Sequence, residues 1–380
     1  MMRKSLGQLR TVTKWRRWSI LCLTLGALAL GLSANAQERA ATFITFDAPG
    51  AGTSAYEGTF PSALTPSGQI TGFYIDDNES VRGFLRAPCG AFTTFQAPGA
   101  GTGTAQGTAP VSINPAGAIA GYYADENYVV HGFLRTPDGS FTPFDPPGST
   151  LTEALDINPA GEVAGQYTDA SGVWHGFVRA PNGTITTFDA TGAGTGSGQG
   201  TFVAGIEGIN PAGTIAAGHL DANNIWHGDL RAPNGTITTF DVSGAGMGAY
   251  QGTNPAGINP AGTIPGTYTD ANGVYHGFVR APDGTITTFD ASGAGAAPGQ
   301  GTQGQNINAP GAVDGNVIDA NGVVHGFVRS KNGAITEFDA PGAGTGSGQG
   351  TTTAQINPMG EIAGQYLDEN NVYHGYLRIP

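Results

Sequence analysis

Residues 259–290 read NPAGTIPGTYTDANGVYHGFVRAPDGTITTFD, and variants of this stretch recur along the chain after residue 36. The histidines of two neighbouring copies, His276 and His325, are 49 residues apart. Fixed periods of this length are typical of solenoids, propellers and other repeat architectures. The recurring stretch therefore predicts a repeat architecture.

Within one copy, turn residues separate short runs that favour strands. The Asn-Pro-Ala-Gly, Asp-Ala-Asn-Gly and Pro-Asp-Gly segments contain the residues that tight turns need. Thr, Ile, Val, Tyr and Phe fill the runs between them, as is typical of strands. With one further run before the Asn, each copy predicts four short antiparallel strands. Such groups repeated around an axis are the blades of a propeller.

Two anchors count the copies. The first is a histidine in the third strand of each copy, with Arg82 in its place in the first copy: His131, His175, His227, His276, His325 and His374. The second is the end of a Thr-rich strand, with Gln96 in the first full copy: Asp47, Asp145, Asp189, Asp241, Asp290 and Asp339.

The two anchors are out of phase with the chain ends. The strand that ends at Asp47 precedes every other motif, and the last copy stops without such a strand. We therefore predict an all-β fold, a seven-bladed β-propeller of four-stranded antiparallel blades. It is closed by an N-terminal strand that completes the last blade, so that the joint has no free edge.

Length varies in only one segment of the repeat, between the Asp anchor and the next Asn-Pro turn. It is shortest from Asp145 to Asn158 and longest from Asp189 to Asn210. Since loops tolerate length changes and paired strands do not, we interpret this segment as the link between blades. The longest link is then Gly192 to Gly208.

The first 36 residues have the layout of a secretory signal peptide. Six basic residues come first, an apolar run from Ile20 to Leu32 follows, and Ala34-Asn35-Ala36 precedes Gln37. We predict that residues 1–36 are removed and that residues 37–380 form a single propeller domain. The mature protein is expected to be secreted, extracellular or periplasmic, as a monomer without membrane insertion.

Charge excludes one class of partner. The six leader bases leave ten Lys and Arg against 29 Asp and Glu in the mature chain. Nucleic acid and anionic lipid are bound through Lys and Arg that neutralise phosphates. The partner is therefore expected to be a glycan or a protein and not a nucleic acid.

The recurring histidines and aspartates favour a structural role over a metal ring. The first copy lacks both residues, and counting back from the Pro-Asp-Gly turn places them side by side on neighbouring strands. A His–Asp hydrogen bond in each blade explains this paired loss. No cofactor or metal is predicted. Calcium at the Asp-x-Asn-Gly turns stays open, although these turns lack the ligand spacing of an EF-hand loop and Asx-turn geometry explains them without a metal.

One blade departs from the pattern. His219 replaces the usual second-strand Tyr, Asp229 replaces the Phe of His-Gly-Phe, and Glu207 lies in the longest link. Polar residues at apolar positions need a partner, so these residues either pair locally or face a ligand. Residues before the histidines vary and include Trp174 and Trp226, which indicates either core packing between blades or a surface for sugar stacking.

The motif Ile-Asn-Pro-x-Gly-x-Ile-Ala-Gly-x-Tyr-x-Asp with His-Gly-Phe-x-Arg and Asp-Gly-Thr-Ile-Thr-Thr-Phe-Asp resembles the bacterial extracellular HAF-repeat family. The resemblance covers the chain after residue 36, with Gly132, Gly176 and Gly277 where that family's name motif has Ala. It implies export and a repeat fold and carries no catalytic residues to transfer.

Two functions remain open from the sequence. The first is an exported, non-catalytic β-propeller that binds a glycan or protein. The alternative is a polysaccharide-active enzyme, such as a lyase, with its site on the face that carries the links. No nucleophile–base set or cofactor motif occurs in the repeats, which favours the binding protein.

Overall fold

The computed structural model describes residues 41–380, and the predicted signal peptide, residues 1–36, lies outside them. The expectation of an all-β chain is confirmed for these residues, because all 28 secondary-structure elements assigned to them are β-strands. In this part of the chain no helix has the length and apolar character needed to cross a membrane.

Each copy of the repeat, called a unit below, contributes four strands. First strands are β2 (Gly58–Leu64), β6 (Gly107–Ile113), β10 (Leu151–Ile157), β14 (Gly200–Val203), β18 (Gly252–Pro255), β22 (Gly301–Ile307) and β26 (Gly350–Ile356). Second strands are β3 (Ile70–Ile75), β7 (Ile119–Ala124), β11 (Val163–Thr168), β15 (Ile215–Leu220), β19 (Ile264–Thr269), β23 (Val313–Ile318) and β27 (Ile362–Leu367). Third strands are β4 (Val81–Arg86), β8 (Val130–Arg135), β12 (Trp174–Arg179), β16 (Trp226–Arg231), β20 (Tyr275–Arg280), β24 (Val324–Arg329) and β28 (Tyr373–Ile379). Fourth strands are β5 (Phe92–Phe95), β9 (Phe141–Phe144), β13 (Ile185–Phe188), β17 (Ile237–Phe240), β21 (Ile286–Phe289), β25 (Ile335–Phe338) and β1 (Thr42–Phe46).

Turn chemistry sets the strand ends as the sequence predicts. Between β19 and β20, Oδ1 of Asp270 accepts hydrogen bonds from the backbone N–H of Asn272 at 2.9 Å and of Val274 at 2.8 Å. This Asx turn reverses the chain, and the two strands then pair antiparallel from Thr269 opposite Tyr275 onward.

The prediction of seven separate four-stranded blades is wrong. The first strand of each unit also pairs in parallel with the third strand of the preceding unit, as Gly252 does with Trp226. All 28 strands therefore belong to one hydrogen-bonded sheet. Within it, 21 strands follow one another into a closed ring, and the seven fourth strands branch from its third strands. This is a propeller-like repeat fold of many strands.

A glycine makes the parallel contact possible. Gly252 has a φ of 117°, and a Cβ built there would collide with the carbonyl oxygen of Trp226. Glycine alone adopts this conformation and allows so close an approach at no steric cost. In the third unit, whose link is shorter, Leu151 takes this place and pairs with Val130. Repeat counting does not show this contact, because it joins strands from neighbouring units.

The first and last strands of the described chain lie side by side. β1 pairs antiparallel with β28 from Thr42 opposite Ile379 to Phe46 opposite Gly375. The displaced motif at the N-terminus predicts this pairing. β28 in turn contacts β2 through the parallel pair of Tyr373 and Gly58, so the sheet continues across the joint.

The apolar core lies between neighbouring units. Phe278 of the His-Gly-Phe motif is fully buried and packs edge-on against Phe240 of the preceding unit at 6.2 Å. The guanidinium of Arg280 lies over the same Phe240 ring at 4.8 Å. Equivalent Arg–Phe contacts of 4.6 to 4.9 Å join every pair of neighbouring units. This arginine therefore holds units together through a cation–π contact.

The longest segment between an Asp anchor and the next Asn-Pro turn, Asp189 to Asn210, does not contain a longer link. Gly200 lies eleven positions after Asp189, just as Gly301 lies eleven positions after Asp290. The extra residues follow β14, where the chain leaves the sheet at Ala204–Gly208 and enters the centre of the ring. We call Ala204–Gly208 the plug segment. The sequence interpretation failed here because its anchors enclose both the link and the first strand.

Candidate functional site

The structure brings the recurring histidines and aspartates together. Nδ1 of His276 lies 2.9 Å from Oδ1 of Asp290, and the other five pairs span 2.7 to 3.1 Å. The last pair joins His374 to Asp47 and so bridges the chain ends. In the unit without this pair, Arg82 binds Asp76 at 2.8 Å instead, and Gln96 donates to the carbonyl of Val81.

Each of these histidines lies between two carboxylates. Nε2 of His175 is 3.7 Å from Oδ2 of the turn residue Asp169, and its ring stacks on Tyr167 at 5.0 Å. The hydrogen bond from the backbone N–H of Val173 lowers the pKa of Asp169 and so favours its carboxylate form. Within residues 41–380, no group of three or more His, Cys, Asp or Glu side chains is arranged to hold a metal ion.

His219 and Asp229 form a buried local pair. Nδ1 of His219 lies 2.6 Å from Oδ2 of Asp229, with side chains only 4% and 1% exposed. Thr239 donates to the other oxygen of Asp229 at 2.6 Å, and His219 stacks on His227 at 4.9 Å. The geometry supports the first of the two alternatives, a local structural pair.

Glu207 lies apart from that pair, in the plug segment. Its φ is 63°, a left-handed conformation, and its Oε2 accepts a hydrogen bond from the backbone N–H of Ile307 at 3.0 Å. Gln355 donates to its Oε1 at 3.2 Å, and Ile258 donates to its backbone carbonyl at 2.7 Å. One residue of the fourth unit thereby ties the fifth, sixth and seventh units across the centre of the ring.

The acidic side chains around the plug segment are buried. Burial raises the pKa of Glu207 well above the usual range and that of Asp314 to about 7. Asp156 also has a raised pKa through burial, and it accepts hydrogen bonds from Ser112 at 2.6 Å and from Ile209 at 3.0 Å. Glu207 and Asp156 fix the plug segment and the residue that follows it on the inside of the ring.

The plug segment divides the centre of the ring into two cavities. The narrower one, about 160 Å³, lies among the Asn-Pro turns and is lined in part by Glu207. The larger one, about 580 Å³, lies on the side of the plug segment that faces the links, with Gly205 and Ile206 in its wall. We call the larger one the central cavity. Its volume falls within the range of roughly 300–1,000 Å³ that is usual for small-molecule sites.

Aromatic rings and amides line the central cavity. Its aromatic side chains are Phe60, Phe73, Tyr122, Phe202 and Trp226. Its amide side chains are Gln166, Asn254, Gln305, Asn306 and Gln365. No Asp, Glu, His, Lys or Arg is among the residues that line it, within the part of the chain that the structure describes.

Two of these amides are free to bind a ligand. Within residues 41–380, the side chains of Asn254 and Gln305 make no hydrogen bond to protein groups, and neither residue is buried. Each amide can both donate and accept a hydrogen bond. By contrast, Gln166 is already engaged, because it donates to Glu153 at 2.8 Å. Burial raises the pKa of the nearby Tyr122 to about 12, which keeps its hydroxyl protonated.

Sequence reasoning missed these residues although the repeat contains a signal for them. The second residue of each first strand is always Thr, and it accepts a backbone hydrogen bond in most units, as Thr253 does from Val242 at 2.9 Å. The next residue differs in every unit except two, which have Phe60 and Phe202. The residue after the invariant Thr thus varies from unit to unit, which indicates that packing against neighbouring residues does not determine its identity.

Comparisons with known proteins identify the fold and no family. No family model matches the chain, and no curated protein matches it. The chain is similar to the BP39L lectin from Burkholderia pseudomallei at 12% identity and a TM-score of 0.55, over 85% of this chain and 95% of that one. It is also similar to a prolyl endopeptidase at 11% identity and a TM-score of 0.56, over 82% of this chain and 46% of that one. At these identities the likeness shows the fold alone.

Proposed function

We propose that this chain is an exported, non-catalytic binding protein for neutral carbohydrate, with the central cavity as its site. The observation that carries the proposal is the lining of that cavity, which combines five aromatic rings with five amides and has no charged side chain. Export is inferred from the predicted signal peptide at residues 1–36.

This lining matches the chemistry of a sugar ring. A pyranose has C–H faces that pack on aromatic rings, and hydroxyls that both donate and accept hydrogen bonds. Trp and Phe provide large contact areas, and an amide side chain both donates and accepts. The ring centroids of Trp226 and Phe202 lie 4.9 Å apart. Asn254 and Gln305 offer amide groups without protein partners in the same cavity.

The charges favour a neutral ligand. An acidic saccharide needs Arg or Lys to compensate its carboxylates or sulfates, because a buried charge without a partner is costly. The cavity lining offers none, and acidic residues outnumber basic ones in the chain by 29 to 16. The similar BP39L structure is described as a lectin, which agrees with a carbohydrate ligand.

Two matched tryptophans provide the test. Trp174 and Trp226 occupy equivalent positions before a histidine and both pack on Phe202, at 5.4 and 4.9 Å, but only Trp226 lines the cavity. A glycan array of neutral and acidic oligosaccharides, followed by calorimetry, should show binding of a neutral saccharide. Trp226→Ala should weaken that binding by about tenfold or more, and Trp174→Ala by less than about threefold.

Binding only of acidic glycans, or equal losses in the two tryptophan variants, would overturn the proposal. Thermal midpoints of both variants show whether either is unfolded. Asn332→Ala, in a turn on the face opposite the links, should leave binding unchanged.

The enzyme alternative is tested in the same samples. A lyase or hydrolase needs groups that transfer protons near neutral pH. Tyr122, the titratable side chain in the lining, has a pKa of about 12 and does not ionise near neutral pH. Glu153 does not line the cavity and is hydrogen-bonded to Gln166. We expect no new reducing ends and no unsaturated products after prolonged incubation with the bound saccharide.

A further inference from the structure

A second cleft opens from the central cavity and shares part of its wall. This outer cleft, of about 370 Å³, has Trp226, Asn254 and Gln305 in common with the central cavity. It continues outward between the fifth and sixth units to Tyr275 and Tyr250. A ligand in the central cavity therefore has a direct path over Trp226 into the outer cleft.

The shared amides are unoccupied. Within residues 41–380, the side chains of Asn254 and Gln305 make no hydrogen bond to protein groups, and Asn254 is exposed. Each offers two donors and one acceptor at the junction of the two spaces. They suit the hydroxyl groups of a chain that passes from one space to the other.

Tyr250, at the outer end of the cleft, adopts a backbone conformation that packing does not explain. Its φ is 63°, a left-handed value that side chains other than Gly and Asn rarely adopt, and it is 66% exposed. Its backbone N–H donates to the carbonyl of Asn224 at 2.6 Å. The equivalent position, defined by the same hydrogen bond, is Gly in three other units and Ala or Tyr in two: Gly198, Gly299, Gly348, Ala105 and Tyr56.

The repeat thus shows what this position prefers. Glycine closes the same turn without strain, so the fold itself does not call for a tyrosine. The exposed ring of Tyr250 borders the outer cleft, where it offers an aromatic face to a ligand.

We propose that the outer cleft binds further sugars of a linear neutral oligosaccharide whose end occupies the central cavity, and that Tyr250 stacks on a sugar at its outer end. This proposal rests on the proposed function. It assigns the protein a chain-like ligand of several sugars, and Tyr250 a role in contact with the outer sugars only.

The test replaces Tyr250 by the glycine that its sister units contain. Binding is measured by calorimetry with mono- to hexasaccharides of neutral β-linked glucans and mannans. Tyr250→Gly should weaken binding of the longer members by about tenfold and leave the mono- and disaccharide unchanged. Because the substitution relieves the left-handed strain, the thermal midpoint should not fall, so that lost binding cannot be attributed to unfolding.

Tyr56→Gly is the matched control. Tyr56 occupies the same turn position, with a φ of 68° and 63% exposure, but lines neither cavity. Its replacement should change stability as Tyr250→Gly does and leave binding unchanged at every chain length.

The outcomes separate the two proposals. If short saccharides bind and depend on Trp226 but Tyr250→Gly has no effect at any length, the proposed binding in the outer cleft is wrong and the proposed binding in the central cavity is supported. Equal weakening at all lengths also overturns the outer cleft as an extension. If no neutral saccharide in the series binds, both proposals fall.

Discussion

At the scale of single residues, the same pair of side chains occurs in two environments. His276 and Asp290 are 23% and 54% exposed, whereas His219 and Asp229 are 4% and 1% exposed. Solvent screens the first pair and can replace a lost partner, so it contributes little to the free energy of folding. Water cannot reach the second pair, and losing one partner leaves a polar group buried without compensation.

The two pairs therefore predict different responses to the same substitution. His276→Ala should lower the free energy of unfolding by about 0.5–1 kcal/mol. His219→Ala should lower it by about 3 kcal/mol, because Asp229 keeps only Thr239 as a side-chain partner. Urea unfolding of both variants measures the difference, and equal losses would contradict this interpretation.

Counting residues between turns was enough to predict which histidine meets which aspartate. It did not predict that the aspartates are largely exposed, because exposure depends on the fourth strand lying at the outside of the ring. Nor did it predict the second carboxylate beside each histidine. Oδ2 of Asp270 lies 3.8 Å from Nε2 of His276. The sequence accounts for Asp270 through the backbone hydrogen bonds of its own turn, so nothing in the pattern points to the histidine.

At the scale of elements, one asparagine in each of six units performs two tasks. Oδ1 of Asn259 accepts hydrogen bonds from Ala261 and Thr263 at 3.0 Å and so closes the turn after the first strand. Its Nδ2 donates to the backbone carbonyl of Asn308 in the next unit at 3.3 Å. Six such bonds run from unit to unit. The series has a gap at Thr65, which has no amide.

Filling that gap should stabilise the ring. Thr65 already closes its turn by accepting a hydrogen bond from Gln69 at 3.0 Å, as the asparagines do. Thr65→Asn should keep that bond and add a donor toward the carbonyl of Asn114, which raises the free energy of unfolding by about 1 kcal/mol. The reverse change, Asn259→Thr, should lower it by a similar amount. Loss of stability in Thr65→Asn would contradict the series of bonds.

The sequence predicted the turn function of these asparagines and not the bond between units. A turn is local, and its residue types are recognisable within four positions. The partner of Nδ2 lies 49 residues away for Asn259 and 292 for Asn357, at a carbonyl that every residue type has. Only the placement of neighbouring units reveals it.

At the scale of the whole molecule, closure depends on the first strand. Phe43 of β1 packs near Tyr376 at 5.9 Å, Phe46 lies under the guanidinium of Arg86 at 4.6 Å, and Asp47 binds His374. Without β1, the outer edge of β28 would expose its backbone groups, and exposed strand edges promote association.

Deleting residues 37–50 should therefore lower the thermal midpoint by about 5 °C or more and produce dimers or larger species. Light scattering coupled to gel filtration, together with calorimetry, measures both effects. A control deletion of residues 37–40, which spares β1, should leave the protein unchanged. A monomer with an unaltered midpoint after the longer deletion would contradict closure by β1.

The number, order and type of strands followed from the repeat, because turn residues and alternating apolar positions act locally. The continuous sheet and the plug segment did not follow. The parallel contact at Gly252 depends on two units at once. The place of the three extra residues after β14 depends on the bonds of Glu207 to three other units. The central cavity was not predicted either, because Phe60 and Trp226 line the same cavity only once the ring has closed.

If the aromatic and amide lining of the central cavity binds neutral carbohydrate, a crystal structure of the protein with the neutral oligosaccharide that binds most tightly should show it there. We expect a sugar ring against Trp226 and Phe202, with hydroxyl groups hydrogen-bonded to the amides of Asn254 and Gln305. Sugar bound only at the Asn-Pro turns or outside the ring, with the central cavity empty, would contradict it.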